Sequence, residues 1–283
     1  MASVLTNSSS MAALQTLRSI DSQMSTTQSR ISSGMKVGSA SDNAAYWSIS
    51  TTMKTESSSL SVVDEALGMA SSLADVANTG TKALIDLMGK VRDRVVAAGE
   101  STNDKDKIQT ELAQLYTQMT NTVDAASFNG QNWLKATDKA GTDLGASTKV
   151  LSGVTAGTLN FIDVSLEAGT TNTSEVVATV TGLDRSALDT GNLGATLTAV
   201  DTAIKNLTSL GATFGAASSR IGIQKDFINN LTAAIDRGVG SLVDADMNEE
   251  STRLKALQTQ QQLAVQSLSI ANSKTDTILQ LFR

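Results

Sequence analysis

Residues 49–95 read ISTTMKTESSSLSVVDEALGMASSLADVANTGTKALIDLMGKVRDRV, and a 3-4-3-4 spacing runs through Ile49, Met53, Glu56, Leu60, Val63, Leu67, Ala70, Ala74, Ala77, Thr81, Leu84, Met88, Val91 and Val95. Twelve of these fourteen positions are apolar. A seam of that regularity belongs to one long helix packed in the coiled-coil manner. At ~1.5 Å per residue it spans roughly 70 Å, more than the ~50 Å diameter expected of a compact globule of this chain length. The chain has no proline, which fits a rod, because an interior proline removes a backbone hydrogen bond and kinks the helix.

Working outward, Asn103 and Asp104 are cap candidates for a second helix with Ile108, Leu112, Leu115, Met119 and Val123 on one stripe, ended by Asn129-Gly130. Helical spacing then fades to about Gly191, and Lys149 to Leu151, Leu159 to Leu166 and Val176 to Thr181 read as short strands. Phe128 and Trp133 are read as anchors of the loop after the second helix. A further long helix carries Leu197, Val200, Ile204 and Leu207, slips once, and continues through Leu210, Phe214, Ala217, Ile221, Gln224, Ile228, Leu231 and Ile235. Gly238 and Gly240 interrupt it, with Gly34 and Gly38 as the matching break near the N-terminus.

The two ends mirror each other. Ala13, Leu17, Ile20, Met24, Thr27 and Ile31 step by four and three at one end; Leu254, Leu257, Gln261, Ala264, Leu268, Ala271, Thr275, Ile278 and Phe282 do so at the other. Near the C-terminus Leu268, Ile270, Ala271, Ile278, Leu279, Leu281 and Phe282 occupy most of the helix circumference, and a helix apolar all round is a buried one. The expected self-assembly seam is therefore Leu14, Leu17, Ile20, Met24 and Ile31 with Leu254, Leu257, Leu268, Ile270, Ile278, Leu279 and Phe282. A single terminal pair buries too little to be fully ordered alone, so neighbouring copies are expected to complete it.

Composition removes whole chemistries. Among 283 residues there is no cysteine and no histidine, and the net charge is −6. Disulfides, thiolate sites, the usual general base and the commonest metal ligand are absent, and no basic cluster invites nucleic acid or an anionic membrane. No enzyme, cofactor or metal site is expected. Neither a secretory signal peptide nor an apolar stretch long enough to span a bilayer is visible. Nine aromatics against 70 serines and threonines suit thin helical layers better than a large core.

The fold class expected is mainly α: an elongated antiparallel long-helix bundle or coiled coil with a small β element between the N- and C-terminal halves. The domains expected are 1–42 plus 241–283, a terminal coiled-coil inner core; 43–134 plus 192–240, a long-helix rod; and 135–191, a small β-rich insert of the rod.

Several segments resemble bacterial flagellin. Arg30-Ile31-Ser32-Ser33-Gly34 followed by Ser39-Ala40-Ser41-Asp42-Asn43-Ala44-Ala45 is similar to that family's N-terminal signature. Lys90-Val91-Arg92-Asp93, Ser127-Phe128-Asn129-Gly130, Ser219-Arg220-Ile221-Gly222, Asp244-Ala245-Asp246-Met247 and the ending Ser269-Ile270-Ala271-Asn272 to Leu281-Phe282-Arg283 extend the likeness. The Asn43 to Ile49 wording is most similar to the alphaproteobacterial branch.

The resemblance implies a structural subunit of an extracellular helical filament that transmits motor torque for swimming, exported through the flagellum's own type III channel. It implies a homopolymer of many copies with hook-associated junction proteins, a filament cap and an export chaperone as partners. Lys90, Arg92, Asp93 and Arg94 then become an intersubunit or receptor-facing surface; read alone, they fit a solvated helix face equally well. Arg94 stands where many relatives carry leucine, and Asn43, Tyr46 and Trp47 also depart from common family residues. Weak recognition by animal and plant flagellin receptors is therefore expected. Tyr46 and Trp47 are either local core or an intersubunit plug. The alternative for the whole chain is a coiled-coil secretion-tip or signalling protein of fixed small oligomer state.

Overall fold

The computed structural model describes residues 7–100, 102–135, 147–155, 157–168, 171–181, 185–188 and 192–281. In chain order the elements are α1 (Ser8–Ser33), α2 (Ala44–Ala97), α3 (Lys105–Ala125), β1 (Ser147–Thr155), β2 (Thr158–Ser165), β3 (Glu167–Ala168), β4 (Thr171–Asn172), α4 (Thr173–Thr181), a single 3-10 turn at Arg185–Leu188, α5 (Leu193–Val243) and α6 (Met247–Leu281). The fold is mainly α with small antiparallel sheets, as the spacing predicts. It divides into two compact units, Met1–Ser57 with Ala233–Arg283, and Ser58–Thr232.

The second unit is built on the quoted seam. From Leu60 to Val95 every seam position of α2 is buried, facing the buried stripe Val200, Leu207, Leu210, Phe214, Ala217, Ile221 and Ile228 of α5. The helices run antiparallel, as their cross-ties show: Arg92 Nε meets Asp201 Oδ1 at 2.7 Å, and Ser218 Oγ donates to Asp75 Oδ1 at 3.2 Å. The polar seam residue Thr81 is fully buried, and its hydroxyl donates to the Ala77 carbonyl of its own helix at 2.8 Å, so it needs no partner across the seam. Opposite it, a Cβ on Gly211 would stand 3.3 Å from Thr81 Cγ2, so the glycine admits the close approach.

Helix α3 starts where the cap residues suggest. Asp104 accepts from the Asp106 and Lys107 amides, while Asn103 Nδ2 donates to the Ala97 carbonyl at the end of α2. Its buried face is Ile108, Leu112, Tyr116, Met119 and Val123. Tyr116 therefore takes the place that the stripe gave to Leu115, which is half-buried. Burial pushes the Tyr116 phenol up to about 12.

The helix ends at Ala125, before the expected Asn129-Gly130. Those two residues have positive φ (50° and 84°) and form the turn that pairs Phe128 with Gln131. The turn returns Trp133 and Leu134 to the core, where Trp133 stacks on Phe214 with centroids 6.4 Å apart. Buried Asn132 holds the corner: its Nδ2 donates to the Val123 carbonyl at 2.6 Å, and its Oδ1 accepts from the Leu134 and Lys135 amides. Phe128 stays 37% exposed, so Trp133 alone is the buried anchor.

Strands β1 and β2 pair antiparallel with a bulge between Leu151 and Gly153. The bulged Ser152 carbonyl accepts from Gln224 Nε2 of α5 at 2.7 Å, which gives that polar seam residue a role. The expected strand at Val176 to Thr181 is instead the body of α4, with Val176 and Val177 buried and α3 beside it. A β-prone run with a helix to pack on and no strand to pair with yields to its tertiary surroundings. A second correction concerns Gly238 and Gly240, which do not break α5; it continues to Val243. A Cβ at Gly238 would lie 3.0 Å from Met53 Cε, so the Met53 side chain packs closely over this glycine inside a continuous helix.

Two glycines of α2 make a paired test. At Gly80 a Cβ would stand 2.6 Å from Leu134 Cδ1 and 3.2 Å from Ala126 Cβ; at Gly89 it would meet nothing within 4 Å. Alanine is favoured over glycine in a helix by roughly 0.5–1 kcal/mol, but overpacking a filled site costs about 1–3 kcal/mol. Gly89→Ala is expected to raise unfolding stability in urea by about 0.5–1 kcal/mol and Gly80→Ala to lower it by about 1 kcal/mol. Equal stabilisation by both would contradict the packing described.

Candidate self-assembly surface

The first unit pairs α1 with α6. Asn7 caps α1 by accepting from the Ser10 amide, and its Nδ2 donates to the Ala271 carbonyl at 2.9 Å. Ser10 Oγ donates to Asn272 Oδ1, Gln261 Nε2 to Asp21 Oδ1, and Arg30 Nη1 to Glu250 Oε1 at 3.1 Å. The start of one helix thus lies against the end of the other, and the pair is antiparallel.

The pair is closed at one end by backbone. Gly34 terminates α1 in the left-handed region (φ 73°), and its carbonyl accepts from the Ala245 amide at 2.8 Å. The Lys36 and Val37 amides donate to the Val243 carbonyl, and Asp246 caps α6 by accepting from the Asn248 and Glu249 amides. Beside this junction the Asp42 carboxylate accepts from the Ser39 hydroxyl and from the Ser39 and Gly38 amides. These bonds hold it below its ordinary value of 3.8, the hydroxyl contributing most. The Arg-to-Asn signature read from the sequence is therefore a helix stop, a carboxylate-pinned turn and a helix start, since Asn43 Oδ1 accepts from the Ala45 and Tyr46 amides.

The expected seam divides into groups. Ile20 and Leu257 are buried between the helices; Leu17, Met24, Ile31, Leu254 and Leu268 are half-buried. Leu14 is 39% exposed and Ile270 61% exposed, off the pair's inner stripe. Ile278 and Leu279 lie on the helical backbone of α6, but their side chains, like the whole of Phe282, fall outside the described residues. Met11, Leu263 and Val265, which the seam did not include, are also exposed. Tyr46, Trp47 and Ile49 are exposed at the head of α2, so the aromatic pair is not local core, and buried Ser50 replaces Ile49 in the inner stripe.

Glu250 lies in the first turn of α6, where a negative charge suits the positive end of the helix dipole. It is 5% exposed and also lies 3.5 Å from Arg253 Nη1, while its Oε2 has no hydrogen-bond partner. Its i, i+4 step to Leu254, on the same face, is the sequence signal that places it on the seam. In the second unit Lys90, Arg92, Asp93 and Arg94 are exposed. There Arg92 is held by Asp201, and Arg94 Nε by Glu111 Oε2 at 2.8 Å. No cluster of metal-binding side chains occurs among the described residues, and none of their helices is long and apolar enough to cross a membrane.

Removing Arg30 leaves the Glu250 carboxylate buried with a weaker partner. Breaking a buried pair costs about 3–5 kcal/mol; the 31% exposure of the Arg30 side chain reduces that. Arg30→Met is expected to lower the opening free energy of this thin pair by about 1 kcal/mol, so thermolysin should cut within α1 of the monomer a few-fold faster. Glu250→Gln, which removes the buried charge, should cost less. Unchanged cleavage in Arg30→Met would contradict the role given to this pair.

Comparison with known proteins agrees with this geometry. The bacterial flagellin N-terminal helical region matches residues 4–139 and the C-terminal helical region residues 197–282. Flagellin C of Rhizobium meliloti (strain 1021) is 44% identical over 322 residues, covering all of both chains. The flagellin of Brucella melitensis biotype 1 is 42% identical over 287 residues, again covering all of both. Among solved structures, a Vibrio parahaemolyticus protein assigned to the flagellar hook-associated group shares the fold (TM-score 0.51, 12% identity, 72% of this chain and all of that one). The chain belongs to the bacterial flagellins, the structural subunits of the extracellular flagellar filament.

Proposed function

We propose that the α1–α6 pair is the polymerisation element of this filament subunit. Residues 1–42 with 241–283 act as its inner-core domain, and 43–134 with 192–240 act as a rod carrying 135–191 as a small insert. The carrying observation is the set of large apolar side chains that the pair leaves outside: Met11, Leu14, Leu263, Val265 and Ile270, between 39% and 64% exposed. Leaving such a set in water is unfavourable, whereas a head-to-tail contact that does not close on itself buries it in every copy and grows a helix. Leu17, Ile20, Met24, Ile31, Leu254, Leu257 and Leu268 hold the pair together within a copy, and Leu14 and Ile270 reach the next copy. Ile278, Leu279 and Phe282 extend the same seam by the spacing of the sequence.

The work is mechanical rather than catalytic, with no cofactor. Hook-associated junction proteins, a filament cap and an export chaperone are the partners carried over from the family. Recognition by animal flagellin receptors is weak in this reading, because Arg94 puts a cation, already engaged by Glu111, where relatives offer leucine. The departures at Asn43, Tyr46 and Trp47 argue the same for plant receptors.

Leu263→Asp and Ile270→Asp test the assignment. Both sites are exposed in the single chain, so monomer stability should change by no more than about 0.5 kcal/mol. Each loses about 1.5–3 kcal/mol of burial in the polymer, so the critical concentration for assembly should rise about tenfold or more. An unchanged critical concentration would overturn the assignment.

A further inference from the structure

The β1–β2 hairpin is apolar on both faces. One face lies toward the core with Val150, Ile162 and Val164 buried. The other carries two cross-strand pairs, Leu151 with Phe161 and Val154 with Leu159. Phe161 is 48% and Leu159 56% exposed, and Leu151 and Val154 are half-buried. At the end of this face Lys149 stands opposite Asp163, both exposed. A hairpin face carrying an exposed phenylalanine and leucine needs a cover.

The same unit contains a receptor of opposite form. Between α2 and α3 lies an open groove of about 700 Å³. Val76, Ala83, Ala125 and Ala126 line it together with the polar side chains of Asp75, Thr79, Asn121 and Thr122. The short side chains of Ala83, Ala125 and Ala126 leave room for large ones, and the Asp75 carboxylate suits a lysine beside the apolar face that enters. A polymer of identical chains joined head to tail needs two dissimilar patches on each copy. We propose that the outward face of the hairpin, led by Phe161 and Leu159, docks into the α2–α3 groove of a second copy, with Lys149 toward Asp75. The proposal rests on the chain polymerising, and its test separates the two.

Because the chain has no cysteine, introduced thiols give a clean readout. Phe161→Cys and Asn121→Cys, both at exposed positions, are prepared separately, mixed in equal amounts, assembled and oxidised. A covalent dimer is expected in filaments of the mixture, with none in the dilute monomer mixture or in filaments of either variant alone. Filaments of the mixture without that dimer would overturn the docking while leaving polymerisation intact. Dimer from Phe161→Cys alone would also overturn it, since that contact would be hairpin to hairpin. Should either variant fail to polymerise, Leu159→Cys with Gln118→Cys, another groove residue, gives the same readout. Independently, Phe161→Ser should raise the critical concentration about tenfold, and no rise would count against the proposal.

Discussion

Burial of a 3-4 spaced apolar stripe along α2 against its counterpart on α5 is the interaction from which the second unit is built. From Leu60 to Val95 no seam position is left to solvent, and the residues that interrupt the apolar pattern are each accounted for locally. Thr81 bonds its own helix, and Gln224 bonds the bulged carbonyl of Ser152. Glycine at 80 admits Leu134 at a distance a Cβ would not allow, and glycine at 211 lets Thr81 approach closely. Against this pair, α3, the Trp133 corner and the hairpin are secondary layers, each with a short buried stripe of its own.

The terminal pair obeys the same rule with less material. Only Ile20, Thr27, Glu250 and Leu257 are buried in the facing parts of α1 and α6 that the structure describes, and one of them is a carboxylate. An inner stripe that thin leaves a large share of each helix's apolar surface outside. In a family whose members polymerise, that surplus surface is where sister copies are expected to bind. The single chain is thus complete in its second unit and unfinished at its ends, which suits a subunit that must remain separate until it is added to a polymer.

Much of this is legible in the sequence because coiled-coil packing writes itself as spacing. The α2 seam, the α3 cap at Asp104 and the mirrored ends follow from counting positions. Where counting fails, the cause is a neighbour that spacing does not contain. Val176 to Thr181 reads as a strand until α3 offers it a surface to coil against. Gly238 and Gly240 read as a break because composition cannot distinguish a glycine that ends a helix from one that admits Met53. Tyr116 displaces Leu115 and Ser50 displaces Ile49 by a single residue, a shift that follows from which way each helix is rotated. The outward residues Met11, Leu263 and Val265 lie off the heptad and were invisible to it. The Arg30–Glu250 pair depends on a contact between distant segments, and the role of Asn132 on how the turn folds back toward Val123.

The direct test of the unfinished-ends account is amide hydrogen exchange of residues 8–33 and 247–281 in dilute monomer and in assembled filament, with the α2–α5 core as internal reference. The account predicts fast exchange of the terminal helices in the monomer and core-like protection in the filament. Equal, core-like protection in both states would contradict it.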